Sequence, residues 1–256
     1  VRRVEVLGVG VDDIDEAGAV RAIVSAARAG RGGVVVTPNV DILRRAVRDP
    51  VLGAMVAQAD LSLPDGMPLV WASRLRGTPL RARVPASSLV YPLARAMAAH
   101  GLRLFLLGAE PGVAEEAARS LERQVPELVV AGTDSPPYGF EHDPDAMARI
   151  RLTLEAARPD VVLCAFGCPK QERVMTALRP HFPATWFLGV GGTLDMVAAH
   201  TPRAPRWLQR LGLEWVHRLR LEPRRLFRRY IIDDAPFALV LLARSAVDRM
   251  RAGRHP

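Results

Sequence analysis

The sequence predicts an α/β protein: a parallel sheet flanked by helices, followed by a C-terminal helical, basic appendage. Three observations carry this. Short runs rich in β-branched and other apolar residues alternate with longer amphipathic stretches from residue 1 to about residue 200. The runs are apolar almost throughout, as expected of strands covered on both faces rather than one. After about residue 200 the alternation stops, and arginine, tryptophan and leucine recur at helical spacing.

The candidate strands are VEVLGVG (4–10), GVVVTP (33–38), LRLFLLG (102–108), LVVAGT (128–133), VVLCAF (161–166) and TWFLGV (185–190). Amphipathic stretches at 16–29, 87–100, 113–124, 144–157 and 171–178 read as helices between them. A further short strand is expected before Leu63-Pro64-Asp65-Gly66, with a helical stretch at 69–75 after it. Strand–helix alternation of this kind builds a Rossmann-like sheet whose working residues gather at the carboxyl ends of the strands. Residues 1–200 are therefore read as an α/β catalytic domain and 201–256 as the appendage.

The turns that follow the strands are distinctive. Thr37-Pro38-Asn39, Gly108-Ala109-Glu110-Pro111-Gly112, Gly167-Cys168-Pro169-Lys170-Gln171-Glu172 and Gly191-Gly192-Thr193 are all rich in Gly or Pro and open onto helices. Any α/β protein needs tight turns there, but helix N-termini also offer free N–H groups and partial positive charge to a diphosphate. Four such turns bearing polar side chains favour a nucleotide or nucleotide-sugar site.

The appendage holds most of the charge. The chain of 256 residues carries a net charge of +8. Between Arg203 and Arg229 nine arginines face only Glu214 and Glu222, a local excess of seven. Such a block needs an anionic partner or abundant solvent. Trp207, Leu211, Trp215 and Leu219 recur at i, i+4 within it, and APFALVLLA (235–243) follows without a charge. Two readings stand side by side. The segment lies in a membrane interface with arginines against lipid phosphates, or it is a helical hairpin packed on the sheet with a basic outer face. A basic nucleic-acid-binding surface is a third, lesser reading. No apolar run reaches the ~20 residues of a spanning helix, and no cleavage-like leader pattern appears at the start. A cytoplasmic protein is expected.

Candidate chemistry is sparse outside the turns. Asp13–Asp15 and Asp143–Asp145 are Asp-x-Asp pairs that could hold a metal for a metal-dependent nucleotide-sugar enzyme. Both precede helical stretches, where Asp serves as a cap. Cys164 and Cys168 lack a second pair for zinc and read as buried thiols. Lys170 is the single lysine among 35 basic residues. No Gly-x-Ser-x-Gly, Walker A loop or Gly-x-Gly-x-x-Gly occurs. Asp65, between prolines and beside Gly66, is placed either as a general base or as a turn residue.

Taken in order, TPNVDIL (37–43), LPDGMPLVWASRLRG (63–77), RV (83–84), FLLGAEPGVAEEAA (105–118), GTDSPPYGF (132–140), RPDVVLCAFGCPKQE (158–172), LGVGGTLD (188–195) and RAPRWLQRLGLEWVHRLRLEPRRLFRRY (203–230) resemble the WecG/TagA/CpsF glycosyltransferases. The resemblance covers nearly the whole chain. It implies an inverting, metal-independent transfer from a UDP-sugar to an undecaprenyl-diphosphate-linked sugar in cell-surface polysaccharide synthesis, with no cofactor. N-acetylmannosamine-type sugars or other hexoses are the implied cargo. Asp65 falls at the family's base; Thr37, Asn39 and Arg83 match its catalytic pocket. Gly108, Gln171, Gly191, Gly192 and Asp195 match its donor-side loops. Arg218, Arg225 and Arg228 match arginines of the appendage that close over the diphosphate and help it reach the membrane. The implied partners are the UDP-sugar, the polyprenyl-diphosphate sugar and the anionic inner face of the plasma membrane, with no nucleic acid; the family often forms homo-oligomers. RVPASSL (83–89) and MVAAHT (196–201) depart from the family's usual RVxGSDL and aromatic, glycine-ended segments.

Overall fold

The computed structural model describes residues 1–200, 204–205, 207–208 and 212–252, the side chains of Arg225 and Ala252 excepted. Arg203, Arg206, Arg210 and Leu211 of the basic block therefore lie outside the described residues.

The chain opens with a hairpin rather than the single strand expected at 4–10. β1 (Arg3–Val6) and β2 (Val9–Asp12) pair antiparallel, apart from the main sheet. Leu7 and Gly8 between them both have positive φ, 51° and 80°, as the two central residues of a tight hairpin turn require. Leu-Gly lacks the usual Asn-Gly signature, and the apolar run hides the turn. Val4, Val6, Val9 and Val11 are buried, while Glu5 faces solvent.

Six parallel strands form the main sheet: β3 (Gly33–Val36), β4 (Leu61–Ser62), β5 (Arg103–Gly108), β6 (Val129–Asp134), β7 (Val161–Ala165) and β8 (Trp186–Gly189), in the order β4-β3-β8-β7-β5-β6. The helices are α1 (Glu16–Arg28), α2 (Val40–Arg48), α3 (Pro50–Ala57), α4 (Met67–Arg76), α5 (Ala86–Ala98), α6 (Val113–Gln124), α7 (Pro144–Ala157), α8 (Lys170–Leu178) and α9 (Thr193–Val197). The expected strands and helices of residues 16–200 are all present within a few residues. α2 is the helix onto which the Thr37-Pro38-Asn39 turn is expected to open, and α3 is additional; they are capped by Asn39 and Asp49, whose side chains accept the N–H groups of Ile42 and of Val51 and Leu52.

Strand residues alternate between two cores, as period-2 side chains must. Leu104, Leu106, Leu163 and Leu188 pack with Ile23, Leu89 and Leu121 on one face. Phe105, Leu107, Val162 and Phe187 pack with Leu43, Leu69 and Met175 on the other. Each fully buried Leu or Phe contributes about 1.5–3 kcal/mol of hydrophobic stabilisation, so both faces are needed to hold the sheet between its helices.

The chain then returns over the second face. α10 (Glu214–Leu221) and α11 (Pro223–Phe227) lead into a π-helix (Arg228–Asp234) and α12 (Ala235–Ala252). α12 lies along α4. The uncharged run 235–243 belongs to this helix and is divided by it: Leu241 is fully buried in the core, with Phe237 and Leu242 partly buried, whereas Leu239 is 70% exposed. Packing on the sheet and an exposed apolar face thus coexist. No helix among the described residues is long and apolar enough to cross a membrane.

Candidate active site

The strand order explains which turns meet. β4, β3 and β8 are neighbours, so Asp65, the Thr37-Pro38-Asn39 turn and the Gly191-Gly192 turn emerge side by side at their carboxyl ends. β7 stands next to β8 and brings Gln171; β5 lies beyond it, bringing Gly108. This is the crevice where open parallel sheets hold their ligands.

Asp65 is fixed through its backbone. Its N–H donates to the Pro38 carbonyl at 2.9 Å, and the Val84 N–H donates to the Pro64 carbonyl at 2.7 Å. These bonds stitch the Asp65 segment between the Thr37 turn and the Arg83 segment. Gly66 follows at φ 128°, a conformation closed to other residues at modest cost, and turns the chain into α4. Burial pushes the Asp65 carboxyl up to about 6. Arg83, Arg218 and Arg229 pull it down and Glu214 pushes it up, so desolvation outweighs the nearby cations. A carboxylate held there is ionised at neutral pH yet basic enough to take a proton.

The C-terminal segment closes the other side. Arg83 donates through Nη1 and Nη2 to Glu214 Oε2 at 3.3 and 3.2 Å. Arg218, half-buried, reaches the Gly191-Gly192 turn: a Cβ at Gly192 would stand 3.4 Å from its Nη2. Trp215 and Tyr230 meet edge to face, with ring centroids 6.2 Å apart. Arg83, Arg218 and Asp65 are thus gathered from three distant stretches of chain.

Thr37 is buried and donates from Oγ1 to the Gly189 carbonyl at 3.4 Å, tying β3 to β8. Asn39 spends its side-chain oxygen on the α2 cap, at 3.1 Å from the Ile42 nitrogen. Gln171 is 3% exposed; its Oε1 accepts the Gly191 N–H at 3.0 Å and its Nε2 donates to Glu172 Oε1 at 3.0 Å. A backbone N–H can only donate, which fixes the amide's orientation, so Gln171 shapes the Gly191-Gly192 turn from within. Gly108 has φ 104°, and a Cβ there would come 2.7 Å from the Phe166 ring. Asp195 stands half-buried in the first turn of α9, and a Cβ added at Gly192 would stand 3.6 Å from its carboxylate.

Lys170 Nζ pairs with Glu141 at 2.9 Å and sits 4.6 Å from the Tyr138 ring centre. Burial raises the Glu141 carboxyl, but the Lys170 hydrogen bond, a backbone hydrogen bond and the nearby positive charge together outweigh it, and the net direction is down. Of the arginines expected over the diphosphate, Arg228 is exposed and the Arg225 side chain lies outside the described residues. Sequence reasoning passed over Arg229, Tyr230 and Glu214. In RRYIID nothing local separates Arg229 from Arg228; only the fold turns Arg229 inward.

The other candidates fall into supporting roles. Asp15 and Asp143 cap α1 and α7, accepting from Gly18 and Asp145 nitrogens. Asp13 receives Arg2 and Arg81 at the hairpin. Among the described residues no group of three or more metal-ligating side chains converges. Cys164 is buried and Cys168 half-buried, both free; burial pushes both thiols up, so neither is a nucleophile at neutral pH. In the departing segments, Ser88 turns its hydroxyl back to the Pro85 carbonyl, and His200 pairs with Glu116 on α6.

The sequence pattern of the glycosyl transferase WecG/TagA/CpsF family matches residues 4–251. The chain is 31% identical over 211 residues to the N-acetylglucosaminyldiphosphoundecaprenol N-acetyl-beta-D-mannosaminyltransferase of Bacillus subtilis (strain 168), covering 82% of this chain and 79% of that protein. It is 32% identical over 195 residues to the enzyme of the same name from Bacillus spizizenii, covering 76% of this chain and 74% of that one. The matched span takes in every strand of the sheet, Asp65 and the arginines of the C-terminal segment, and the chain belongs to the WecG/TagA/CpsF family of glycosyltransferases.

Proposed function

We propose that this glycosyltransferase moves a sugar from a UDP-sugar to a polyprenyl-diphosphate-linked sugar, with inversion and without a metal. The observation that carries it is the Asp65 carboxylate, held at about 6 within reach of three arginines at the crevice of the sheet. Asp65 takes the proton from the acceptor hydroxyl. The freed oxygen pair attacks the anomeric carbon from the face opposite the nucleotide, and the bond to the diphosphate oxygen breaks with its electron pair. The charge that develops on UDP is met by Arg218 beside Gly192 and by Arg83, donors already oriented before the reaction.

The relatives' names supply the acceptor class, an N-acetylglucosaminyl-diphosphoundecaprenol. Ser88 and His200 lie where this chain departs from the family's usual residues, which leaves the cargo sugar to be identified by assay. The segment 201–256 is read as an appendage that also meets the membrane. Phe227, Ile232 and Leu239 are 53%, 58% and 70% exposed among arginines, the mixture that anionic interfaces attract. On this reading the enzyme works as a peripheral protein at the inner face of the plasma membrane.

The test is UDP release from a panel of UDP-sugars with a short-chain polyprenyl-diphosphate sugar, with and without EDTA. Turnover with at least one donor, unchanged by EDTA, is expected. A folded protein that binds and turns over none of them overturns the reading, and loss of activity in EDTA removes its metal-free form.

A further inference from the structure

We propose that Asp41 and Asp234 are positioning residues that jointly clamp Arg229 and thereby hold the C-terminal segment, with Arg218 and Tyr230, against the catalytic crevice. Asp41 stands in the first turn of α2, two residues after the Asn39 cap, and is 3% exposed. It takes Arg44 Nη2 at 2.6 Å, Arg45 Nε at 2.9 Å and Arg229 Nη2 at 3.3 Å. Asp234, also buried, takes Arg44 Nε at 3.1 Å and lies 3.7 Å from Arg229 Nε. Arg44 and Arg229 therefore each bridge both carboxylates, closing a ring of four charges between α2 and the π-helix.

The π-helix is what makes the ring possible. Arg229 and Asp234 are five residues apart, and an α-helix would turn them about 140° away from each other. The wider π winding, with its i→i+5 bonds, brings them onto one side facing Asp41 and Arg44. From the ring the connection runs outward to the site. The Arg229 guanidinium lies 5.6 Å from the Tyr230 ring centre, Tyr230 meets Trp215, and the adjacent Glu214 receives Arg83. The helix that follows Thr37 and Asn39 is thus bolted to the segment that carries Arg218. Lysine in place of Arg229 would keep the charge but not the fork that spans two carboxylates.

This inference rests on the crevice being the catalytic site, but its primary readout does not. Hydrogen exchange over 214–234 is measured in the full chain for wild type, Asp234→Asn, Arg229→Lys and the double variant, beside kcat/KM for each. Asp234→Asn and Arg229→Lys are each expected to accelerate exchange in 214–234 while leaving β3 and β8 protected. Each should lower kcat/KM by at least roughly tenfold, as misplacement of an aligned group does. The double variant should be no worse than the poorer single, because both act on one ring. Unchanged exchange in either single variant, wild-type kcat/KM in Arg229→Lys, or losses that multiply in the double, overturn the clamp. If Asp234→Asn fails to fold, Arg229→Lys alone decides. Retained activity in Asp65→Asn would sink the catalytic reading instead, and leaves the exchange result to stand by itself.

Discussion

Replacing Asp65 by Asn should cut transfer steeply and at the same time stabilise the protein, by an amount that depends on pH. A carboxyl held at about 6 rather than its ordinary 3.8 costs the folded state about 3 kcal/mol once the pH is well above 6. The sign follows from proton binding. Between about pH 4 and 6 the folded chain holds the Asp65 proton more tightly than the unfolded one, so stability falls as pH rises through that window. Below it the cost is absent; about half is present at pH 5 and all of it at pH 8. Asn carries no charge, so its own burial cost is the same at both values. Denaturant unfolding of wild type and Asp65→Asn at pH 5 and pH 8 isolates the term. The variant should gain on wild type by about 1.5 kcal/mol more at pH 8 than at pH 5. For a chain of this size that is roughly 3–6 °C in Tm. Transfer should fall about 10²–10⁴-fold, the usual worth of a general base. An advantage equal at both pH values would show that the carboxyl is not desolvated, and the reasoning from burial to basicity would fail.

Three further outcomes follow from named contacts. Gly192→Ala keeps an ordinary φ of −76° and its Cβ would stand at contact distance, 3.4 Å, from Arg218 Nη2, so the fold should tolerate it; the methyl fills space at the turn that the donor is proposed to use, and KM for the donor should rise several-fold with Tm unchanged. Asn39→Ser retains a cap for α2 whereas Asn39→Ala loses about 1 kcal/mol; if both lose activity equally while only Ala loses stability, Asn39 also serves the pocket. Changing Phe227 and Ile232 together to Ser should reduce sedimentation with anionic vesicles without altering thermal stability, since both side chains are more than half exposed. Undiminished vesicle binding would remove that surface from the membrane account.

Much of this was legible in the sequence because local rules and tertiary structure agreed. The runs at 102–108 and 161–166 had to be buried strands, and their alternation places Leu104 and Phe105 on opposite cores. α6 and α7 matched their expected bounds, the latter marked by its Asp143-Pro144 start. The hairpin at Leu7-Gly8 was missed because an apolar dipeptide occupies a turn usually made by polar residues. The helix after Thr37-Pro38-Asn39 was expected, but α3 was missed because no turn-rich gap separates it from α2. In the site, Asp65, Thr37 and Asn39 announced themselves through motif, but Gln171 turned out to hold its neighbours through both ends of its amide. Arg229 was illegible for a physical reason: its partner Asp234 is five residues away, a spacing that helical periodicity assigns to different faces. Only the π winding and the distant Asp41 give it a role.

The most direct test of the central claim is the pH dependence of kcat/KM for UDP release with a productive donor and a short-chain acceptor. With Asp65 as the base, kcat/KM should rise tenfold per pH step at low pH and level off through an apparent value near 6, and Asp65→Asn should erase that limb along with most of the rate. A profile flat from pH 5 to 8, or an Asp65→Asn enzyme that turns over as fast as wild type, would contradict it.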